Sequence, residues 1–320
     1  MPLLLPEPDA HAFLFSWTAD VGVVAVLVLL AVGYLVLLVR ARRRASLQRD
    51  WSPIQGVAFA AGLLTVAWAG CGWPAVYGQL MFSAGAVQLA LLLMVGPVLL
   101  AAGGPLRLLR ASAAAPQAAD GGALDAPAPH RGSTPAMTVS LVAPLLVVVV
   151  MLTYYLTGWY SAALRGGVVG ALTPVVLIGA GLLAAWPLLV ADAVDLGFPF
   201  AFAVLFGFFE LLADAIPGLI VRLYGTLLAA DHFGAFTLPW GNGALDDQQR
   251  GGAILWIVAE TADLPFLLVL ATSWVRADRR EAALVDRELD DRAHQIAVPQ
   301  AIDDLGAELT VPWWESDPPR

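Results

Sequence analysis

Four carboxylates stand inside stretches of this sequence that are otherwise apolar: Glu210, Asp214, Glu260 and Asp263. The first two are spaced i,i+4 and the second two i,i+3, so on helices each pair shares one face. Charged groups within hydrocarbon are costly and face a bundle interior or a water-filled cavity. Two chemistries fit such a cluster. One is a proton path or a pocket for a hard cation, which carboxylate oxygens suit. The other is an internal polar network, partly protonated, that pins two helices together. No chain of polar residues crosses the whole apolar region, which favours the second.

Soft metal donors are scarce. The one cysteine, Cys71, excludes an internal disulfide and any multi-cysteine metal site. Cys71, Met81 and His232 fall towards one end of the expected bundle, and thiolate and thioether donors suit Cu(I). A lone Cys and Met in apolar sequence serve equally as packing residues. Whether a metal binds therefore stays open, with Cys71 and Met81 as the candidates. No HExxH, P-loop, GxSxG or strand–helix GxGxxG motif occurs, so no enzyme class is supported and a non-catalytic role is expected.

The elements that must position these groups are membrane helices. The chain is 59% hydrophobic and only 13% charged, about half the charge of an ordinary soluble domain. About seven apolar stretches, with no dyad alternation, are each long enough to cross a hydrocarbon core about 30 Å thick. The expected spans are 17–39, 54–69, 81–101, 137–157, 168–190, 200–224 and 253–275. The fold expected is an all-α polytopic bundle in a bacterial plasma membrane, with the lipid bilayer as its solvent. Nothing points to nucleic acid. No cleavable signal peptide is expected, because the start lacks a basic n-region and the first apolar stretch is too long.

Arginines set the expected orientation. Arg40, Arg42, Arg43, Arg44 and Arg49 follow the first span, Arg107 and Arg110 the third, and Arg276, Arg279 and Arg280 the last. The alternate loops carry almost none, which places the N-terminus outside and the C-terminus inside. Residues 1–275 form the expected membrane domain, with a flexible Ala/Pro/Gly-rich cytoplasmic loop at about 103–136. Residues 276–320 read as a charged cytoplasmic tail that begins as a helix of alternating sign and holds Trp313-Trp314 near its end.

One segment is distinctive: Asp246-Asp247-Gln248-Gln249-Arg250-Gly251-Gly252, then Trp256, Glu260 and Leu264-Pro265. It resembles the D-x-Q-x-G-G-x-x-x-W region of the CtaG-type cytochrome c oxidase assembly proteins, the group linked to caa-type oxidases. Other pieces line up in order: Trp17, Asp20 and Tyr34; Tyr77, Phe82-Ser83 and Gln88; Gly96-Pro97 and Gly104-Pro105-Leu106; Trp186-Pro187; and the basic exit from Trp274 to Ala282. The resemblance covers roughly residues 15–290. It departs at the histidines that members carry within their spans: the matching places hold Gly85, Leu89, Pro174, Val176 and Asp214 here.

The resemblance implies a cytochrome c oxidase assembly factor that helps mature the oxidase at its copper centre, with oxidase subunits as partners. Copper enters only through this resemblance, and its expected ligands are largely absent, so the chain reads as a divergent, even degenerate, member. Asp247, Gln248, Gln249, Gly251, Gly252 and Trp256 are the structural or docking candidates; simple entry into the last helix, with Asp247 capping it, is the alternative. The rival function is an ion-coupled transporter using the carboxylate cluster. Against it stand the lack of an internal repeat and of paired Gly/Pro-broken spans.

Overall fold

The computed structural model describes residues 7–43, 52–113, 145–185, 200–235, 237–241 and 243–303; some side chains beyond residue 199, Glu210 and Asp263 among them, lie outside the description. All regular structure in the described residues is helical. The chain forms two compact units, Met1–Val269 and Leu270–Arg320.

The first unit opens with a short helix, α1 (Ala10–Phe15), whose start is fixed by Asp9 accepting from the Ala12 N–H at 2.6 Å. Helix α2 (Val21–Arg43) begins four residues later than the apolar stretch, because the Asp20 carboxylate accepts from the Val23 N–H at 2.9 Å and caps the first turn. Its last turn carries Arg40, Arg42 and Arg43, which complement the negative end of the helix dipole. Pro53 opens α3 (Pro53–Cys71), where its missing N–H costs nothing. After Gly72 the chain continues as α4 (Trp73–Tyr77), so the second apolar helix outlasts its expected end at residue 69.

The third span is the most buried of the long apolar helices. It is built from α5 (Phe82–Ala90), a π-helical turn (Leu91–Val95) and α6 (Gly96–Ala102). Pro97 has no N–H to give to the Leu93 carbonyl, and the wider turn absorbs that mismatch. The Leu93 oxygen is instead met by the backbone of Gly181, on the later helix Gly167–Ala184, so closely that any side chain there would collide with it. Gly104, with φ +66, turns the chain into α7 (Pro105–Ala113). The first part of the segment expected as a loop from about residue 103 is thus helical; residues 114–144 lie outside the description.

Then come α8 (Leu145–Leu156), α9 (Trp159–Leu164), α10 (Gly167–Ala184), α11 (Phe200–Leu223), α12 (Ala230–Phe233) and α13 (Ala244–Asp303). The third span packs between α3 and α10; α8 bridges α10 and α11; α2 lies on α3, α7 and α10. Among the described residues, four helices are long and apolar enough to cross a membrane: Val21–Arg43, Pro53–Tyr77, Phe82–Ala102 and Gly167–Ala184. The outer face of α2 exposes Val21, Val28, Leu29, Val32 and Leu35. A contiguous apolar face of that kind needs a cover other than water, and lipid supplies it.

In lipid, burial of apolar groups gives little net driving force between helices, so association rests on close van der Waals packing and interhelical hydrogen bonds. Both are present. Tyr34 stacks on Phe59 (centroids 3.7 Å apart, planes at 11°), and its hydroxyl donates to the Gly103 carbonyl at 3.1 Å. The Thr18 N–H donates to the Cys71 carbonyl at 2.6 Å, tying the entry of α2 to the end of α3. In the second unit the helix continues to Asp303 and carries an exposed i,i+4 ion pair, Glu288–Arg292, at 2.6 Å.

Candidate functional site

The distinctive segment forms the first three turns of α13, and the structure interlocks it with three other parts of the chain. Asp246 and Asp247 lie in the first turn, where carboxylates suit the positive end of the dipole. The Asp247 side chain does not cap its own helix. Its two oxygens accept from the backbone N–H of Ser83, at 3.1 Å, and from the Ser83 hydroxyl. Ser83 is the second residue of α5, so Asp247 supplies from 164 positions away the capping acceptor that Met81, at the N-cap, does not provide.

Gln248 is fully buried. Its Oε1 accepts from the Leu228 N–H at 2.6 Å and its Nε2 donates to the Thr226 carbonyl at 3.1 Å. One amide thereby satisfies a donor and an acceptor of the irregular segment that follows α11. That segment includes Ala229 in the left-handed region (φ 52), a strained conformation for a residue with a side chain. Gln249 and Arg250 are exposed.

Gly251 and Gly252 face two different neighbours. A β-carbon on Gly251 would lie 2.5 Å from Cδ1 of Phe82; one on Gly252 would collide with the backbone nitrogen of Arg222 on α11. Gly218, one turn before Arg222, meets the Trp256 nitrogen in the same way at 2.6 Å. α11 and α13 therefore cross backbone to backbone at Gly218/Gly252, the close approach that small residues allow between membrane helices. Trp256 is partly exposed, and its indole N–H donates to Glu260 at 3.0 Å.

Of the four carboxylates singled out in apolar stretches, Asp214 is buried on α11 and Glu260 is half-buried beside Trp256. The side chains of Glu210 and Asp263 lie outside the described residues. Cys71 is a buried free thiol in the main apolar core, while Met81 packs on a separate cluster formed by Ala12, Tyr77 and Ala84. A ring nitrogen of His232 lies 2.8 Å from the Gln79 carbonyl. The described residues contain no group of three or more His, Cys, Asp or Glu side chains able to hold a metal.

Beside Asp247 an aromatic cluster was not anticipated. Phe82 lies within 5.5 Å, centroid to centroid, of Tyr155 and Tyr160, and Tyr154 stands edge-on to Tyr155 and to Trp159. The Tyr160 hydroxyl is buried and has no hydrogen-bond partner among the described residues. Burial first, then Tyr155, Tyr154 and the Asp247 carboxylate, hold the Tyr160 phenol well above its ordinary pKa, so it remains a neutral O–H donor. The signal was in the sequence: Tyr154-Tyr155 and Trp159-Tyr160 gather four aromatic residues at one span end, where such residues concentrate. A β-carbon on Gly85, one of the positions without the expected histidine, would lie 3.6 Å from the Tyr160 hydroxyl.

A cavity of about 460 Å³ opens at this end. Met81, Phe233, Leu238 and Trp240 give it apolar walls, and Glu7, Asp247 and Arg250 bring charge to its lining. Its volume and its few polar groups among apolar walls match sites that hold several side chains or a small molecule.

Comparison with known proteins adds a family. The model described as cytochrome c oxidase caa3 assembly factor matches residues 32–277. An uncharacterized protein of Mycobacterium bovis and one of Mycobacterium tuberculosis are each 26% identical over 292 residues, covering 89% of this chain and 43% of their own length. An uncharacterized protein of Mycobacterium leprae is 27% identical over 296 residues, covering 89% of this chain and 44% of its own. The chain thus spans less than half the length of the curated relatives it matches. No solved structure matches it.

Proposed function

Because the chain belongs to the cytochrome c oxidase caa3 assembly factor family, we propose that it is a multi-pass protein of the bacterial plasma membrane that assists maturation of a caa-type oxidase without catalysing a reaction. In this reading it crosses the bilayer about seven times, N-terminus out and C-terminus in. The arginines after the first, third and last spans support that orientation. The end carrying Asp247 then faces outward.

The observation that carries the reading is the rigid Asp247 end. Its hydrogen bonds to Ser83, Leu228 and Thr226 and its glycine contacts with Phe82 and Arg222 hold a preformed cavity beside the α13 entry. A preformed cavity binds without the ordering cost of building one, which suits a scaffold that receives a segment of a partner. We assign that partner to an oxidase subunit. The finer reading is that maturation concerns the oxidase's copper centre, with copper as cargo. Cys71 lies in the main apolar core and Met81 on a separate cluster, so in this reading the chain's own contribution is to hold the subunit.

The test is the reduced-minus-oxidised haem spectrum of membranes with and without the gene, in copper-replete medium, beside oxidase activity. The expected result is loss of activity with haem a still present, restored by the wild-type gene. An unchanged spectrum and activity would overturn the reading. The buried Asp214 is the one observation that favours ion-coupled transport instead. That rival predicts a proton or cation flux abolished by Asp214→Asn or Glu260→Gln while oxidase activity persists.

A further inference from the structure

The Tyr160 hydroxyl, on α9, takes no part in the bonds that hold the Asp247 end. Its residue is only 3% exposed. Four rings from three other helices fix where the phenol points. Phe82 of α5 stands edge-on to it at 5.4 Å, Tyr154 and Tyr155 of α8 lie at 5.1 Å, and Phe233 of α12 lies at 6.1 Å, centroid to centroid. So enclosed, the hydroxyl cannot swing out to solvent, and no group among the described residues pairs with it. Buried hydroxyls are rarely left so, because the hydrogen bonds given up to water are not returned.

The place beside it is small and polar. A β-carbon on Gly85 of α5 would have two nearest neighbours, the Gly78 carbonyl oxygen at 3.5 Å and the Tyr160 hydroxyl at 3.6 Å. Both are ordinary contact distances, so the backbone of Gly85 leaves room there for a group of methyl size. Gly78 is buried in the turn between α4 and α5, and among the described residues no hydrogen bond ends on its carbonyl. A donor and an acceptor thus border one gap without bonding to each other. The Asp247 carboxylate is near enough to act on the phenol electrostatically, which adds to the polarity of the place.

The occupant follows from this inventory. It must accept from a phenol, donate to a carbonyl and be no larger than a methyl group. A hard cation does not qualify, since it takes about six oxygens. Water does: it donates and accepts, and it hydrogen-bonds to oxygen at about 2.7–2.8 Å, closer than carbon can approach. We infer that a single buried water is bound beside Gly85, accepting from the Tyr160 hydroxyl and donating to the Gly78 carbonyl. It ties α9 to the turn that leads into α5. That turn carries Leu80 and Met81, two residues of the cavity wall, so the water is a positioning element for the cavity. The site does not depend on what the cavity receives.

The experiment is a double-mutant cycle on the full chain in detergent, with Gly85→Ala and Tyr160→Phe, read as the melting temperature. Alanine is the better helix former, and its methyl group would occupy the water's place. Gly85→Ala alone should therefore lower the melting temperature by a few degrees, because the phenol is left unpaired. In the Tyr160→Phe background, where no hydroxyl needs the water, the same substitution should cost much less or raise the melting temperature. An equal change in both backgrounds, in either direction, would overturn the proposal. A density map of the wild-type chain should show one solvent peak within hydrogen-bond distance of both oxygens. An empty gap, in a map that resolves other buried waters, would overturn the proposal even if the variants failed to fold. The haem spectrum reads a different property, so failure of either proposal leaves the other standing.

Discussion

The two ends of the first unit are held together by different physics. At the Asp247 end, side-chain hydrogen bonds join positions far apart in the chain: Asp247 with Ser83, Gln248 with Thr226 and Leu228, His232 with Gln79. Glycines there let backbones touch. At the arginine end the buried contacts are mainly apolar, through Tyr34, Phe59, Ala41 and Leu108, and Arg40, Arg42, Arg43 and Arg110 are exposed. Directional bonds fix a shape to within tenths of an ångström; apolar contact fixes a position and leaves the charged heads mobile. The first suits a preformed cavity, the second an adaptable charged surface.

The contrast yields graded predictions. The largest effect is expected for Gly252→Ala, whose β-carbon would collide with the backbone of α11, where no flexible side chain can yield. It should cost about 3 kcal/mol or more, as overpacking at a rigid contact does, read as a fall of many degrees in the detergent-solubilised melting curve. Gln248→Leu comes next. It leaves the Leu228 N–H and the Thr226 carbonyl unsatisfied in a fully buried place, at about 2–3 kcal/mol.

Asp247→Asn weakens the charge-assisted cap on α5 and should cost about 1–2 kcal/mol. A double-mutant cycle with Ser83→Ala checks it: coupling near zero would break the claim that these two groups act on one another. The smallest effect is expected at the other end. Arg110→Gln should change stability by less than about 0.5 kcal/mol, because its side chain is exposed. A loss there as large as that of Asp247→Asn would erase the distinction between the ends.

What sequence alone determined follows from composition and period. An all-helical membrane chain was legible because long apolar runs have only one way to satisfy their backbone. Among the described residues, four expected spans have helices long and apolar enough to cross, in Val21–Arg43, Pro53–Tyr77, Phe82–Ala102 and Gly167–Ala184. The family was legible in Asp247, Gln248, Gly251, Gly252 and Trp256, since the matching family model includes that stretch. The importance of the glycines was visible in their pairing, though not what they touch.

Tertiary structure decided the partners. Asp247 reads in sequence as a cap for its own helix, and a carboxylate in a first turn satisfies that rule wherever its oxygens point. Only the fold brings Ser83 within 3.1 Å of it. The burial of Gln248 and the opposition of Gly252 to Arg222 are likewise invisible locally, because both depend on how α11 and the 226–228 segment return to α13. The packing of α7 along α2 needs the bend at Gly104, and a positive φ at one glycine redirects everything after it. Sequence period fixes which side of a helix a residue occupies; only packing fixes what stands opposite.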